Sequence, residues 1–153
     1  MVDSKNGTTT TFSYAYDKKD RLKEEVQNGL KIAYQYDQSD NVKHISYPTE
    51  EGDQQKDIEY KYDEYDRLES ILVEGKKAQD FTYNQAGQVD YTNNYLQFDT
   101  GGSSFVKVDY DYNSIGKTAA IQYTKDGETK LEEYEMDYDQ RGYMKTEKSY
   151  THR

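Results

Sequence analysis

Six times in 153 residues the chain repeats one short pattern: an aromatic or apolar residue, any residue, an aromatic residue that is always Tyr, then Asp or Asn. The segments are YAYDKKDRL from Tyr14, YQYDQSDNV from Tyr34, YKYDEYDRL from Tyr60, FTYNQAGQV from Phe81, YDYNSIGKT from Tyr110 and MDYDQRGYM from Met136. The invariant tyrosines are Tyr16, Tyr36, Tyr62, Tyr83, Tyr112 and Tyr138, spaced by 20, 26, 21, 29 and 26 residues. A period in this range belongs to arrays of one supersecondary unit stacked on its neighbours.

The pattern specifies a β-hairpin. Residues two apart, such as Tyr14 and Tyr16, point to the same face of a strand, and aromatic side chains suit a pleated surface. The following Asp17, Asp37, Asp63, Asn84, Asn113 or Asp139 can bond backbone N–H groups ahead of it and start a turn. Three residues later a left-handed backbone is expected. Gly87, Gly116 and Gly142 take it without steric cost, whereas Asp20, Asp40 and Asp66 take it at a tolerable one. A polar and then an aliphatic residue open the return strand, as in Arg21-Leu22 and Arg67-Leu68. Between hairpins, Asn28-Gly29, Glu74-Gly75, Gly101-Gly102 and Asp126-Gly127 mark further reversals. The segment from Pro48 to Gln55 reads as a longer loop.

The expected architecture is all-β: tandem antiparallel hairpins, about twelve strands in a twisted meander that can spiral, and essentially no helix. Residues 1–153 read as a single array, with 1–11 and 148–153 as loose ends. Ile45 and Ile71 fall out of the alternating phase, which implies bulges or burial on two faces. The motif tyrosines, Tyr16 and Tyr62 among them, are expected to pack as stacked cross-strand rings.

Composition at first argues against a fold. Leu, Ile, Val and Phe make up only 23 of the 153 residues, and the net charge is −10. That combination usually marks disorder, but 18 tyrosines at regular spacing supply the missing apolar surface. The negative charge, with no run of five basic residues, argues against a nucleic-acid partner. No stretch approaches the roughly 18 apolar residues of a membrane-spanning helix. Met1–Thr10 is polar and lacks a signal core, so the chain reads as cytosolic or as an internal piece of an exported protein.

Catalytic and metal-binding patterns are thin. The absence of cysteine removes thiolate nucleophiles, disulfides and thiolate metal sites. His44 reads as an exposed strand residue and His152 as part of the terminal tail. Carboxylates are abundant but form solvated strand faces, with no distinct acid–base pair. Asp109, Asp111 and Asn113 resemble the opening of a calcium loop, yet Ser114 and Ala120 stand where that loop needs Gly and Glu. No enzyme activity, cofactor or metal is expected. Tyr47, Tyr65, Tyr91, Tyr95, Tyr123, Tyr134 and Tyr150 lie off the motif positions and are the candidates for ligand contact.

The Tyr-x-Tyr-Asp-x-x-(Gly/Asp)-Arg-Leu pattern resembles the YD repeat of bacterial Rhs-type proteins, of insecticidal toxin complexes and of teneurins. The resemblance spans residues 12 to about 147, fits best at 14–22 and 60–68, and weakens at Asn84 and Thr118. It implies a β-sheet ribbon that spirals into a hollow shell, often around a C-terminal toxin, within a large exported or surface-attached protein. The lack of Cys and Trp with abundant Lys and Tyr is similar to the Gram-positive wall-associated type. On this reading the chain is a piece of wall, extracellular or on the cell surface, whose partners are the neighbouring repeats. The second reading is a module that binds wall glycan or a cell-surface partner through exposed tyrosines. Neither end resembles a capping repeat, and open strand edges would favour edge-to-edge self-association.

Overall fold

The computed structural model describes residues 2–5, 8–49, 55–95 and 104–152. They form thirteen strands and no helix: β1 Val2–Lys5, β2 Thr8–Tyr16, β3 Leu22–Gln27, β4 Leu30–Tyr36, β5 Val42–Pro48, β6 Gln55–Tyr62 and β7 Leu68–Val73, then β8 Lys76–Tyr83, β9 Val89–Tyr95, β10 Phe105–Tyr112, β11 Thr118–Lys125, β12 Thr129–Tyr138 and β13 Met144–Thr151. They fall into two compact units, residues 1–76 and 77–153. Within each unit the strands pair antiparallel in sequence order.

Several expectations need adjustment. In the described parts of the two ends, β1 pairs with β2 and β13 runs to Thr151. That makes thirteen strands where about twelve were expected. Pro48 closes β5 and Gln55 opens β6, and the rest of that expected loop, residues 50–54, lies outside the described residues. The reversal assigned to Gly101-Gly102 also lies outside them.

All six motifs build the same hairpin. The left-handed position is occupied as expected, by Asp20, Asp40 and Asp66 at φ 59, 69 and 59° and by Gly87, Gly116 and Gly142 at φ 79, 77 and 80°. Every return strand then carries one extra residue. Tyr16 faces Leu22 while Ala15 faces Glu24, leaving Lys23 as a bulge. The same slip occurs at Lys43, Glu69, Asp90, Ala119 and Lys145. A bulge changes which face the following residues occupy. That is why Ile45 and Ile71 look out of phase in the sequence yet pair with Tyr34 and Tyr60.

The register sorts the side chains of the first unit by face. Phe12, Tyr14 and Tyr16 share one face with Ile32, Tyr34, Tyr36, Ile45, Tyr47, Ile58, Tyr60, Tyr62, Ile71 and Val73. The opposite face carries Glu24, Lys31, Gln35, His44, Ser46, Asp57, Glu59 and Lys61. In the second unit Val106, Val108, Tyr110, Tyr112, Ile121, Tyr123, Tyr134, Met136 and Tyr138 line the aromatic face.

Among the described residues no second layer covers either face within a unit, so deep burial is rare. Among the described residues only Val108, Ser70, Thr92 and Thr124 are buried, and no side chain is wholly enclosed. Most rings are half-buried against their cross-strand neighbours, the arrangement by which side chains stabilise a sheet without a central core. Tyr14 and Tyr16 depart from this. They are 50% and 60% exposed, so these two rings are not packed as expected.

Candidate functional site

The chemistry of the chain is concentrated where one hairpin meets the next. Each motif Asp or Asn first closes its own turn. Asp17 Oδ1 accepts from the N–H groups of Lys19 (2.8 Å) and Arg21 (3.0 Å). Asp63 does the same for Tyr65 and Arg67, Asn84 for Ala86 and Gln88, Asn113 for Ile115 and Lys117, and Asp139 for Arg141 and Tyr143, all at 2.9–3.1 Å. Asp37 Oδ1 accepts from the Asn41 N–H at 2.9 Å. One carbonyl-type oxygen suffices for both bonds, so Asn replaces Asp without loss of the turn.

A carboxylate adds a second oxygen. Arg21 Nε reaches Asp17 Oδ2 at 2.7 Å, and Arg67 Nε reaches Asp63 Oδ2 at the same distance. These guanidinium bonds come first among the influences that hold Asp17 and Asp63 below the usual carboxylate range.

The invariant tyrosine then joins the hairpins. Tyr36 Oη donates to the Leu22 carbonyl at 2.8 Å, Tyr62 to Val42 at 2.8 Å, Tyr112 to Val89 at 2.8 Å and Tyr138 to Thr118 at 2.7 Å. In every case the acceptor is the first residue of the preceding hairpin's return strand, immediately before its bulge. The bulge interrupts the ladder at that point, and the tyrosine hydroxyl gives the carbonyl a partner. Phe keeps the ring but cannot supply this bond.

The residue after the left-handed position also crosses the junction. Arg21 pairs with Asp40, as does Lys19 at 2.6 Å, and the Arg21 guanidinium lies 4.3 Å from the centre of the Tyr36 ring. Asn41 Nδ2 reaches Asp66 at 3.2 Å. Where the left-handed residue is glycine, its carbonyl replaces the carboxylate. Gln88 Nε2 donates to Gly116 O at 2.9 Å, and Lys117 Nζ donates to Gly142 O while sitting 5.3 Å from the Tyr138 ring centre.

The opposite edge has a clasp of its own. Asn28 donates its N–H to Thr11 O and accepts the Thr11 N–H on its side chain, both at 3.1 Å. Glu74 with Asp57, and Asp126 with Phe105, repeat this two-way exchange. The left-handed backbone at Asn28, Glu74 and Asp126, with φ 51, 52 and 53°, turns each side chain back to the strand. Their reversals are legible in the sequence; this second bond is not, because Glu is not a usual residue for it.

The off-motif tyrosines separate into three groups. Tyr47, Tyr123 and Tyr134 belong to the aromatic face, with Tyr123 and Tyr134 edge to face at 6.1 Å. Tyr91 and Tyr95 lie on the opposite face of the second unit, in a polar cluster. There Tyr95 Oη donates to Asp80 (2.8 Å), Asn93 Nδ2 also donates to Asp80 (2.9 Å), and the Lys107 ammonium sits 4.3 Å from the Tyr91 ring centre. Burial, then the Asp80 bond, pushes the Tyr95 phenol up to about 12. Tyr34 is pushed to about 12 in the same way, by burial and then by its 2.8 Å bond to Glu25. Tyr65 and Tyr150 stand in solvent, 68% and 41% exposed. So does Tyr143, at 70%, a turn residue that the motif pattern passes over because Arg, Asn, Gln or Lys holds its place elsewhere.

The residues weighed for other chemistry are dispersed. His44 Nδ1 lies 3.3 Å from Asp57, and His152 Nε2 lies 3.9 Å from Glu133. Asp109 pairs with Lys107 on the polar face. Asp111 lines a shallow hollow of about 400 Å³ with Ala120, Glu135, Asp137, Thr146 and Lys148. Among the described residues no three His, Asp or Glu side chains are grouped as metal ligands would be.

No protein-family model matches the chain, and no curated protein sequence is significantly similar to it. Solved structures are. A TcdB2-TccC3-Cdc42 crystal structure superposes with TM-score 0.71 at 14% identity, over 91% of this chain and 8% of that one. A TcdB2-TccC3 structure without its hypervariable C-terminal region gives 0.70 at 14%, over 90% and 8%. The chain shares its fold with a segment of these proteins. A Photorhabdus luminescens Tc holotoxin pore carrying a TccC3 point mutation gives 0.65 at 11%, over 93% and 10%. The chain thus spans a tenth or less of the length of these relatives in fold.

Proposed function

We propose that the chain is a non-catalytic wall segment of a larger YD-repeat protein, exported or attached to the cell surface. It would form part of a shell or stalk that encloses or presents a C-terminal toxin or effector domain. The observation that carries this reading is the junction. At four junctions, all within a unit, a hairpin offers the next a bulge-freed carbonyl and receives a tyrosine hydroxyl, a device by which hairpins add in series. Such a device extends a sheet. The toxin-complex neighbours and the YD-repeat resemblance support the same reading. Its mechanism is mechanical: continuous strand pairing, with tyrosines holding successive hairpins in register.

The test has two arms. The chain, shown to be folded by circular dichroism, is titrated against purified cell wall and a glycan panel. Saturable binding that weakens on Tyr65→Ala or Tyr150→Ala would replace the wall reading with a glycan-binding module. In the longer protein, deletion of residues 60–73 should make the downstream domain accessible to trypsin. Unchanged protection would argue against an enclosing wall.

A further inference from the structure

On the polar face of the second unit, one row of side chains carries chemistry that the hairpin junctions do not use. Asp80 on β8, Asn93 on β9, Lys107 on β10 and Thr124 on β11 stand directly opposite one another across the strands. Asn93 Nδ2 donates to Asp80 Oδ1 at 2.9 Å, while Tyr95 Oη and Lys77 Nζ reach the other oxygen at 2.8 and 3.2 Å. The Lys107 ammonium donates to Asp109, the next residue on its own face of β10, and lies 4.3 Å from the centre of the Tyr91 ring. A primary amine, a carboxamide and a carboxylate in series are the parts of an amide-forming site: nucleophile, electrophile with a leaving group, and proton carrier.

The surroundings suit that chemistry. Side chains directly opposite on paired strands have Cβ atoms about 5 Å apart, and a lysine's flexible four-carbon stem lets its nitrogen turn to a carboxamide at that place. Pairing of the two strands replaces a chance encounter by a positioned one. Tyr95 and Phe105, with ring centres 5.8 Å apart, flank the Asn93–Lys107 pair on one side, and Tyr91 flanks it on the other. Thr124, opposite Lys107 on β11, is 6% exposed. The Asp80 and Lys107 side chains are themselves mostly covered, at 19% and 29% exposed.

We infer that Lys107 and Asn93 join in an intramolecular isopeptide bond, with Asp80 carrying the proton between them. The Lys107 ammonium gives a proton to Asp109, and the freed lone pair attacks Asn93 Cγ. Asp80 Oδ1 takes the surplus proton from the attacking nitrogen and passes it to Nδ2. The Cγ–Nδ2 bond then breaks, and the departing ammonia takes back the proton held by Asp109. An ammonium and a primary amide become a secondary amide and an ammonium ion. Both carboxylates are restored, and nothing is oxidised or reduced. The product ties β9 to β10 covalently, a brace in a chain that has no cysteine.

The experiment is intact-mass spectrometry with peptide mapping of the full chain, incubated at neutral pH and shown to be folded by circular dichroism. The expected result is a mass short by one ammonia and a branched peptide joining residues 93 and 107. Lys107→Arg, which keeps the charge, and Asp80→Asn should each retain the full sequence mass. A parent chain still at its full sequence mass after prolonged incubation would overturn the bond. So would an ammonia loss that persists in Lys107→Arg, or one that maps to Asn28-Gly29, where backbone attack on the side chain gives a succinimide instead. An undiminished branched peptide in Asp80→Asn would overturn the part assigned to Asp80.

Discussion

Replacing Tyr62 with Phe isolates the bond that joins hairpins. The ring stays, half-buried on the aromatic face, and the only group removed is the hydroxyl that donates to the Val42 carbonyl at 2.8 Å. A protein hydrogen bond contributes about 1 kcal/mol net. The carbonyl left behind is part-buried, so water satisfies it incompletely, and the whole loss should be about 1–1.5 kcal/mol. Tyr62→Ala also removes the ring. Aromatic-to-alanine changes cost about 3–5 kcal/mol in closed cores, and a half-buried ring belongs at the lower end, about 3 kcal/mol. Tyr16 is the internal control. It holds the same motif position, but its ring is 60% exposed and its hydroxyl has no hydrogen bond among the described residues. Tyr16→Phe should stay within about 0.5 kcal/mol of the parent chain, as surface changes do. Urea unfolding followed by tyrosine fluorescence and circular dichroism gives these values, provided the slope m is unchanged. Equal losses for Tyr16→Phe and Tyr62→Phe would refute the junction argument. So would a Tyr62→Phe loss of only a tenth or two.

Three further outcomes follow from the same contacts. Asp17 and Asp63 have folded pKa values below their unfolded ones, so their stabilisation is present above about pH 4 and lost as pH falls through the lowered values. The double variant Asp17→Asn/Asp63→Asn should retain the turns and show a flatter acid limb in pH-dependent melts. Tyr34 and Tyr95 are raised to about 12. Their contribution is complete below about pH 10 and lost between pH 10 and 12, so ultraviolet titration should show these phenols ionising late, together with loss of the β spectrum. Gly75 is at φ 73° with open space where a Cβ would stand, so Gly75→Ala incurs backbone strain alone. It should lower stability by about 1–2 kcal/mol, measured by thermal or urea unfolding.

The hairpins and their order were legible because the motif joins two strong local signals. Alternating aromatics specify a strand, and Asp or Asn followed by a left-handed Gly or Asp specifies the turn. Asp20, Asp40, Asp66, Gly87, Gly116 and Gly142 all adopt the backbone this predicts. The bulge was visible only as a misfit at Ile45 and Ile71, because an extra residue shifts phase without any residue type of its own. The continuation of the last return strand through residues 148–151 was hidden for a different reason. Its sequence, MKTEKSYT, has no apolar alternation, since all eight residues are exposed, and it is pairing with β12 that carries the strand on to Thr151.

By itself, then, the sequence determined the local conformation: which residues extend, where the chain reverses, and which positions need a left-handed backbone. Those are choices made within about ten residues, where sterics and side-chain-to-backbone bonds dominate. The tertiary structure decided what the tyrosines do. That Tyr36, Tyr62, Tyr112 and Tyr138 bond carbonyls 14 to 23 residues away, while Tyr16 with the same motif stands in solvent, depends on whether a neighbouring bulge is there to receive the hydroxyl. Composition and spacing are blind to that difference, because the acceptor is a backbone carbonyl that every residue carries and only its position in space distinguishes.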